Sequence, residues 1–282
     1  YPTNRAVDDH NEGRLKKLLN SEMEKAKADG KDPNSSAVHK LVTASDDFDK
    51  DCKMTKSDYK GDFDKLVPKD KDRTGGLPET LHLIRGLPVM LRKNVNVQDG
   101  LVNGSCGIIV HWTKSGDAAF VKFPKVAGRS VGMETRKKHY KKFKEVLDKD
   151  SSLVPIVQQE ATFKATTGTF TLKRKMLPLV TCWATTIHKA QGMSLERVVI
   201  DLQQSKLQGG MGYVALSRVT SLKGLFIVGL SSGALKVDGA AEMEYDRLYK
   251  FRSDHHRKNC KTCSDKKTCA WVEAWEAAYP GS

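Results

Sequence analysis

From Leu179 onward the sequence alternates apolar runs with polar connections: LPLVTCW, then ATTIHKAQGMSLE, then RVVIDL, and later GMGYVALSRV and GLFIVGL. This alternation constrains the fold more than any other feature. Short runs rich in Val, Ile and Leu, separated by a loop or a helical pattern, make strand and helix units that build a parallel α/β sheet. The segment before it reads differently. LHLI, PVMLRKN, CGIIVHW and AAFVKF, then VPIVQQEATFKA and GTFTLKRKMLPL, are closely spaced strand candidates. Gly86, Asp99-Gly100, Asn103-Gly104 and Ser115-Gly116-Asp117 punctuate them, which predicts a small antiparallel barrel or sheet. The N-terminal stretch predicts a helix. Val7, Leu15, Leu18 and Leu19 share a face, Asp8 and Asp9 sit in the first turns, Thr3 or Asn4 caps it, and Gly30 with Asp32-Pro33 ends it. The β-rich middle is therefore expected to be an insertion into one α/β domain.

Between that helix and the strands lies Lys31 to Gly76, with ten basic and ten acidic residues and few aliphatics. One strand, VHKLVTASD, is legible there. The remainder reads as a long solvated insertion with little to bury, a candidate for disorder.

Charge narrows the class of partner. The chain has 282 residues, a net charge of +14 and a pI of about 9.4. The excess is concentrated from Lys114 to Pro178, where 15 basic residues face 6 acidic ones. That distribution points to nucleic acid or another anionic surface. No run of about 18 apolar residues is present, so no membrane helix is expected. The start, YPTNRAVDDHNEGR, has neither an apolar leader nor Met and reads as part of a longer chain. Cys52, Cys106 and Cys182 stand in unrelated contexts, poor material for a disulfide framework, so a reducing compartment is expected.

Two stretches carry chemistry. TTIHKAQG follows a predicted strand and is expected to open a helix. Helix-start N–H groups, Thr hydroxyls and a lysine can bind phosphate there, although an ordinary connection with a capping Thr fits the same spacing. In GYVALSRV, Tyr213, Leu216 and Val219 form an apolar stripe that brings Arg218 to the helix end. Such an arginine can stabilise charge during phosphoryl transfer; equally, it can compensate the helix dipole.

Taken in order, TTIHKAQG and GYVALSRVTSLKGL resemble the closing motifs of superfamily-1 DNA helicases, and most closely the Pif-type family, relatives of the RecD subunit. YPTNRAVDDHN is similar to that family's motif IV segment. PVMLRKNVNVQDGLVNGSCGIIV is similar to the strand pair leading into its inserted β-barrel, and LPLVTCWATTIHKAQGMSLERVVIDL to its motif V region. The resemblance covers roughly 1–230, with the charged stretch poorly matched. It implies a second RecA-like domain of the P-loop NTPase type at 1–97 and 179–235, interrupted by the insertion at 31–76. An antiparallel basic barrel would span 98–178, and a tail 236–282. It also implies 5′→3′ translocation on single-stranded DNA, with Thr3, Asn4, Thr186, His188 and Lys189 on the DNA. Gln191 and Gly192 would lie at the nucleotide cleft, and Arg218 would act on the γ-phosphate of ATP. A nuclear or mitochondrial location follows from the same resemblance.

The sequence contains no G-x-x-x-x-G-K-[ST], and Asp201 is followed by Leu rather than by a second acidic residue. ATP and Mg²⁺ need that lysine loop and that carboxylate. The family carries both in an N-terminal RecA-like domain, so this chain alone is expected to be inactive in ATP hydrolysis. A non-catalytic nucleic-acid-binding remnant and a transposon-borne helicase segment are the alternatives. The run RKKHYKKFK interleaves Tyr140 and Phe143 with Lys137, Lys138 and Lys141, a pattern suited to phosphates and base stacking, or to a solvated face. Near the end, Cys260, Cys263 and Cys269 with His256 (or His255) offer four zinc ligands; a reduced cysteine tail explains them equally. AWVEAWEAAY reads as a short amphipathic helix.

Overall fold

The computed structural model describes residue 1 and residues 3–125, 128–202, 210–229 and 239–259. The chain divides into two compact units, Arg5–Thr185 and Tyr1–Asn4 with Thr186–Ser282.

Helix α1 (Asn4–Ala28) leads into the larger unit. Leu15, Leu18 and Leu19 pack on its main core, as their spacing predicts. The helix starts at Asn4, early enough that Asp8 and Asp9 fall beyond its first turn, so they do not serve the dipole. It ends as expected at Gly30, whose φ is +69°. There the Lys31 N–H reaches back to the Ala26 carbonyl at 2.8 Å, closing the last turn.

Ten strands and a second helix follow: β1 (His39–Thr43), β2 (Ser45–Phe48), β3 (Thr80–Ile84), β4 (Pro88–Leu91), β5 (Cys106–Trp112), β6 (Ala118–Lys122), α2 (Met133–Leu147), β7 (Leu153–Val157), β8 (Gln159–Lys164), β9 (Thr171–Met176) and β10 (Leu179–Thr181). They form three sheets. The largest has the order β10-β4-β5-β6-β7 and is antiparallel throughout. Strands β2, β9 and β8 form the second, and β1 with β3 the third. Alternation sets the faces: in β5, Ile109 is fully buried while its neighbour Ile108 is 49% exposed. Leu83, Ile84, Leu91, Ile109 and Ile156 build the main core.

Three expectations change here. The barrel does not close among the described residues. After Val157 the chain leaves the large sheet, and β9 pairs with β2 on one side and β8 on the other. Strands from both sides of residue 98 thus share both sheets. Second, the charged stretch 31–76 is built into the fold rather than disordered. Phe48, Phe63 and Leu66 bury against Phe163, Ala165 and Leu172. Phe48 meets Phe63 and Phe170 edge-on, each at 5.3 Å between ring centroids. A few aromatics do the work that the missing aliphatics could not. Third, RKKHYKKFK is part of helix α2. Its N-terminal N–H groups are satisfied from a distant loop: Glu134 and Thr135 donate to the Asp99 carboxylate at 3.2 and 2.8 Å. Phe143 is buried edge-on against Phe120, so it cannot stack on bases.

One basic residue of the middle segment is not surface charge. Arg174 is 2% exposed. It makes two 2.7 Å hydrogen bonds to the Asp46 carboxylate and donates to the carbonyl of Leu77 at 3.1 Å. The pair ties β9 to β2, the strand supplied by the charged insertion.

The smaller unit contains β11 (Val198–Asp201), α3 (Met211–Leu216), β12 (Leu225–Val228) and α4 (Gly239–Asn259). Strands β11 and β12 are parallel, in register from Val198 opposite Leu225 to Asp201 opposite Val228. Ile187, Ile200, Leu202, Met211 and Ala215 form their core. The expected α/β alternation is therefore present in this unit, and the whole is a mixed α/β fold. Tyr213, expected on the apolar stripe of α3, is instead 73% exposed, and Met211 and Ala215 take the buried side. No helix among the described residues is long and apolar enough to cross a membrane.

Candidate nucleic-acid interface

TTIHKAQG does not open a helix. His188–Ala190 form a single 3₁₀ turn. Gln191 then turns to an extended ψ of 132°, and Gly192 takes φ +78°, where a side chain would be strained. The strand before it, β10, is an edge of the antiparallel sheet, not a strand of the parallel pair.

The turn is nonetheless built from the residues the sequence singled out. Thr186 is buried, and its hydroxyl accepts the Lys189 N–H at 3.4 Å. Ile187 anchors the turn in the core of the smaller unit. His188, Lys189, Gln191 and Gly192 are exposed around it. The Ile187 N–H donates to the Tyr1 carbonyl at 3.0 Å. Thr3 and Asn4 follow two and three residues later, with Asn4 the first residue of α1. One hydrogen bond thus brings the two ends of the proposed DNA set together across 186 positions.

Arg218 is fixed by the same unit. Its Nε donates to the Val214 carbonyl at 2.9 Å and one terminal nitrogen to the Ser217 hydroxyl at 2.9 Å. Its carbonyl accepts the Leu195 N–H at 2.9 Å, and the Thr220 N–H donates to Leu195 at 3.0 Å. Leu195 and Val219 therefore form an isolated parallel bridge, outside the β11–β12 ladder. Only Met193 and Ser194 separate Gly192 from Leu195, so the exit of the turn is sewn to the backbone that carries Arg218. The close packing is visible at Gly224, where a Cβ would stand 1.7 Å from the Glu196 carbonyl oxygen.

A second basic surface lies on α2 in the larger unit. Lys137, Lys138 and Lys141 are exposed, and Lys137 pairs with Glu134 at 2.7 Å. Lys137 and Lys141 are one helical turn apart on the outer face. The Tyr140 hydroxyl donates to Asp148, and that hydrogen bond raises its pKa.

One positioning residue escaped the sequence reading. Asn11, on α1, is 8% exposed. Its side-chain oxygen accepts the N–H groups of Trp183 and Ala184 at 3.0 and 2.8 Å, and its amide donates to the Ala184 carbonyl at 3.2 Å. It thereby holds the strand-less backbone just ahead of Thr186. A lone Asn on the buried side of an amphipathic helix was the available signal. Cys260, Cys263 and Cys269, offered as zinc ligands, lie outside the described residues; His256 belongs to α4. Among the described residues no group of three or more His, Cys, Asp or Glu is placed to hold a metal.

The family described as "DNA helicase Pif1, 2B domain" matches residues 73–112, which hold β3, β4 and β5. The ATP-dependent DNA helicase PIF1 of Danio rerio is 32% identical over 191 residues, 68% of this chain and 26% of the relative. Its Homo sapiens counterpart is 34% identical over 175 residues, 62% of this chain and 23% of the relative. Among solved structures, the Pif1 helicase of Candida albicans aligns at a TM-score of 0.56 and 21% identity, over 88% of this chain and 48% of that one. The shared architecture is that of a helicase α/β fold. The chain belongs to the Pif1-type helicases and corresponds to their C-terminal half. It spans about a quarter of the length of the curated relatives it matches.

Proposed function

We propose that this chain is the motor half of an ATP-dependent 5′→3′ DNA helicase. Its smaller unit is read as part of a second RecA-like domain. The observation that carries the proposal is the isolated Leu195–Val219 bridge, whose two backbone hydrogen bonds join the exit of the 186–192 turn to the backbone around Arg218. A motor needs its DNA contact and its nucleotide contact on a common rigid element, so that a change at one is felt at the other.

In this reading Thr3, Asn4, Thr186, His188 and Lys189 contact the phosphates or sugars of single-stranded DNA. The exposed lysines of α2, with Tyr140, add a second phosphate path. Gln191 and Gly192 border the nucleotide, and Arg218 places its guanidinium toward the γ-phosphate. ATP with Mg²⁺, bound by an N-terminal RecA-like domain, would supply the transferable phosphoryl group. The residues of this chain fit a supporting role toward it. They provide a held cation, preorganised by Val214 and Ser217, and no clustered carboxylates for the ion among the described residues. Nuclear or mitochondrial DNA processing is the setting this reading suggests.

The test is Arg218→Ala in the whole helicase carrying this chain. Arginine fingers contribute roughly 10³–10⁵ in rate. The expected result is loss of DNA-stimulated ATP hydrolysis with single-stranded DNA binding retained. Full ATPase activity in that variant would overturn the assignment.

A further inference from the structure

Cys106 and Cys182 stand far apart in sequence, and nothing in the helicase reading uses them. Their sulfurs are 3.8 Å apart. Both residues are half-buried, so small oxidants can reach them. We propose that Cys106 and Cys182 form a peroxide-sensitive dithiol whose oxidation reshapes the chain entering the Thr186–Gly192 turn.

The two thiols are not equivalent. Cys106 is held on β5 opposite Met90, and its pKa is lowered by the hydrogen bond from the Cys182 thiol. Cys182 is more deeply buried, and its pKa is raised by the same interaction and by burial. Cys106, the less deeply buried of the two, is assigned as the attacking sulfur and Cys182 as the resolving one. In the first step the Cys106 thiolate attacks one oxygen of hydrogen peroxide. The O–O bond breaks, a sulfenic acid forms, and hydroxide leaves. In the second the Cys182 sulfur attacks the Cys106 sulfur. The S–O bond breaks, and the hydroxyl departs as water with the Cys182 proton. Two thiols lose two electrons in all, and the peroxide is reduced to two waters.

The sheet explains why closure has a structural consequence. Cys182 follows the last paired residue of β10, and its N–H donates to the Pro88 carbonyl of β4 at 2.9 Å. Cys106 lies on the other side of β4. Strands one apart across a sheet are separated by roughly 9–10 Å, whereas disulfide-linked Cα atoms lie within about 7 Å. Closing the bond must draw Cys182 inward. It is the one partner outside a strand, held by a single ladder bond and, through the next two residues, by Asn11. The movement falls four residues ahead of Thr186. A bond formed against such resistance is readily reduced again, as a switch requires.

The test treats the 282-residue chain with hydrogen peroxide and maps its cysteines by mass spectrometry. The proposal predicts a peptide pair joined through Cys106 and Cys182, two hydrogens lighter and released by a thiol reductant. It also predicts faster amide exchange at Trp183 and Ala184 in the oxidised chain. Cys182→Ser should trap sulfenic acid at Cys106, detectable with dimedone, while Cys106→Ser should leave Cys182 unmodified. Should Cys106 oxidise no faster than Cys52, or should both thiols be alkylated separately after peroxide, the dithiol is refuted. A disulfide without any change in exchange at 183–184 would refute the coupling to the turn.

Discussion

Replacing Asn11 by alanine tests how the turn is positioned. The Asn11 side chain accepts two backbone N–H groups, from Trp183 and Ala184, and donates to the carbonyl of Ala184. Alanine removes all of these partners. Each buried N–H left without an acceptor costs about 1–3 kcal/mol, less where water can enter. Trp183 and Ala184 are half-buried, which places each at the lower end. The sum is about 2–3 kcal/mol for the larger unit, a fall in Tm of roughly 4–12 °C for a body of this size. Differential scanning calorimetry measures that fall. Hydrogen exchange supplies the local readout, because protection at Trp183 and Ala184 should drop by more than protection in β5 or β6. Asn11→Asp should be milder, since it keeps the accepting oxygen. Unchanged exchange at residues 183 and 184 in the alanine variant would refute the reasoning even if the protein were less stable.

Two further outcomes follow from buried polar groups. Asp46→Ala strands the Arg174 guanidinium in the core and should cost about 3–5 kcal/mol in denaturant unfolding, whereas replacing both partners by apolar residues should recover most of it; an equal loss in the double variant would contradict this. His39 and His82 stack with centroids 5.0 Å apart and share a 2.8 Å hydrogen bond, and burial holds both below the usual histidine pKa of 6.5. Because the unfolded chain takes up those protons first, the stability they give is complete above about pH 6.5 and is lost as pH falls below it. Unfolding midpoints measured from pH 7.5 to pH 5 should decline, and His39→Gln should flatten the decline.

Much of the fold could be read from the residues, and the failures have common causes. The strands of the middle segment were visible because apolar runs alternate with glycine turns, and the parallel pair because VVID and LFIV are short and aliphatic. Barrel closure was not visible, because which strands pair depends on a partner 128 residues away: β9 selects β2 through Arg174 and Asp46. The same pair hid the order of the charged stretch, since a buried arginine and a surface one look alike in a composition. In RKKHYKKFK the helix was missed for want of a local cap. The cap is Asp99, 34 positions before the first helical residue. At the site, the shape of TTIHKAQG was not legible: a helix start was expected, and a single 3₁₀ turn is present. The turn ends after three residues, where Gln191 becomes extended and Gly192 takes a positive φ. Asn11 was missed because one polar residue in a charged helix carries no periodic signal.

The central claim is that the Thr186–Gly192 turn touches DNA. The most direct measurement is binding of the 282-residue chain to a fluorescent single-stranded oligonucleotide across a salt series, for wild type and for His188→Ala/Lys189→Ala. Each lost phosphate contact lowers the slope of log K against log salt by about 0.7. The account predicts weaker binding by the double variant, with a shallower slope. Identical curves for the two proteins would contradict it and move the DNA track to the lysines of α2.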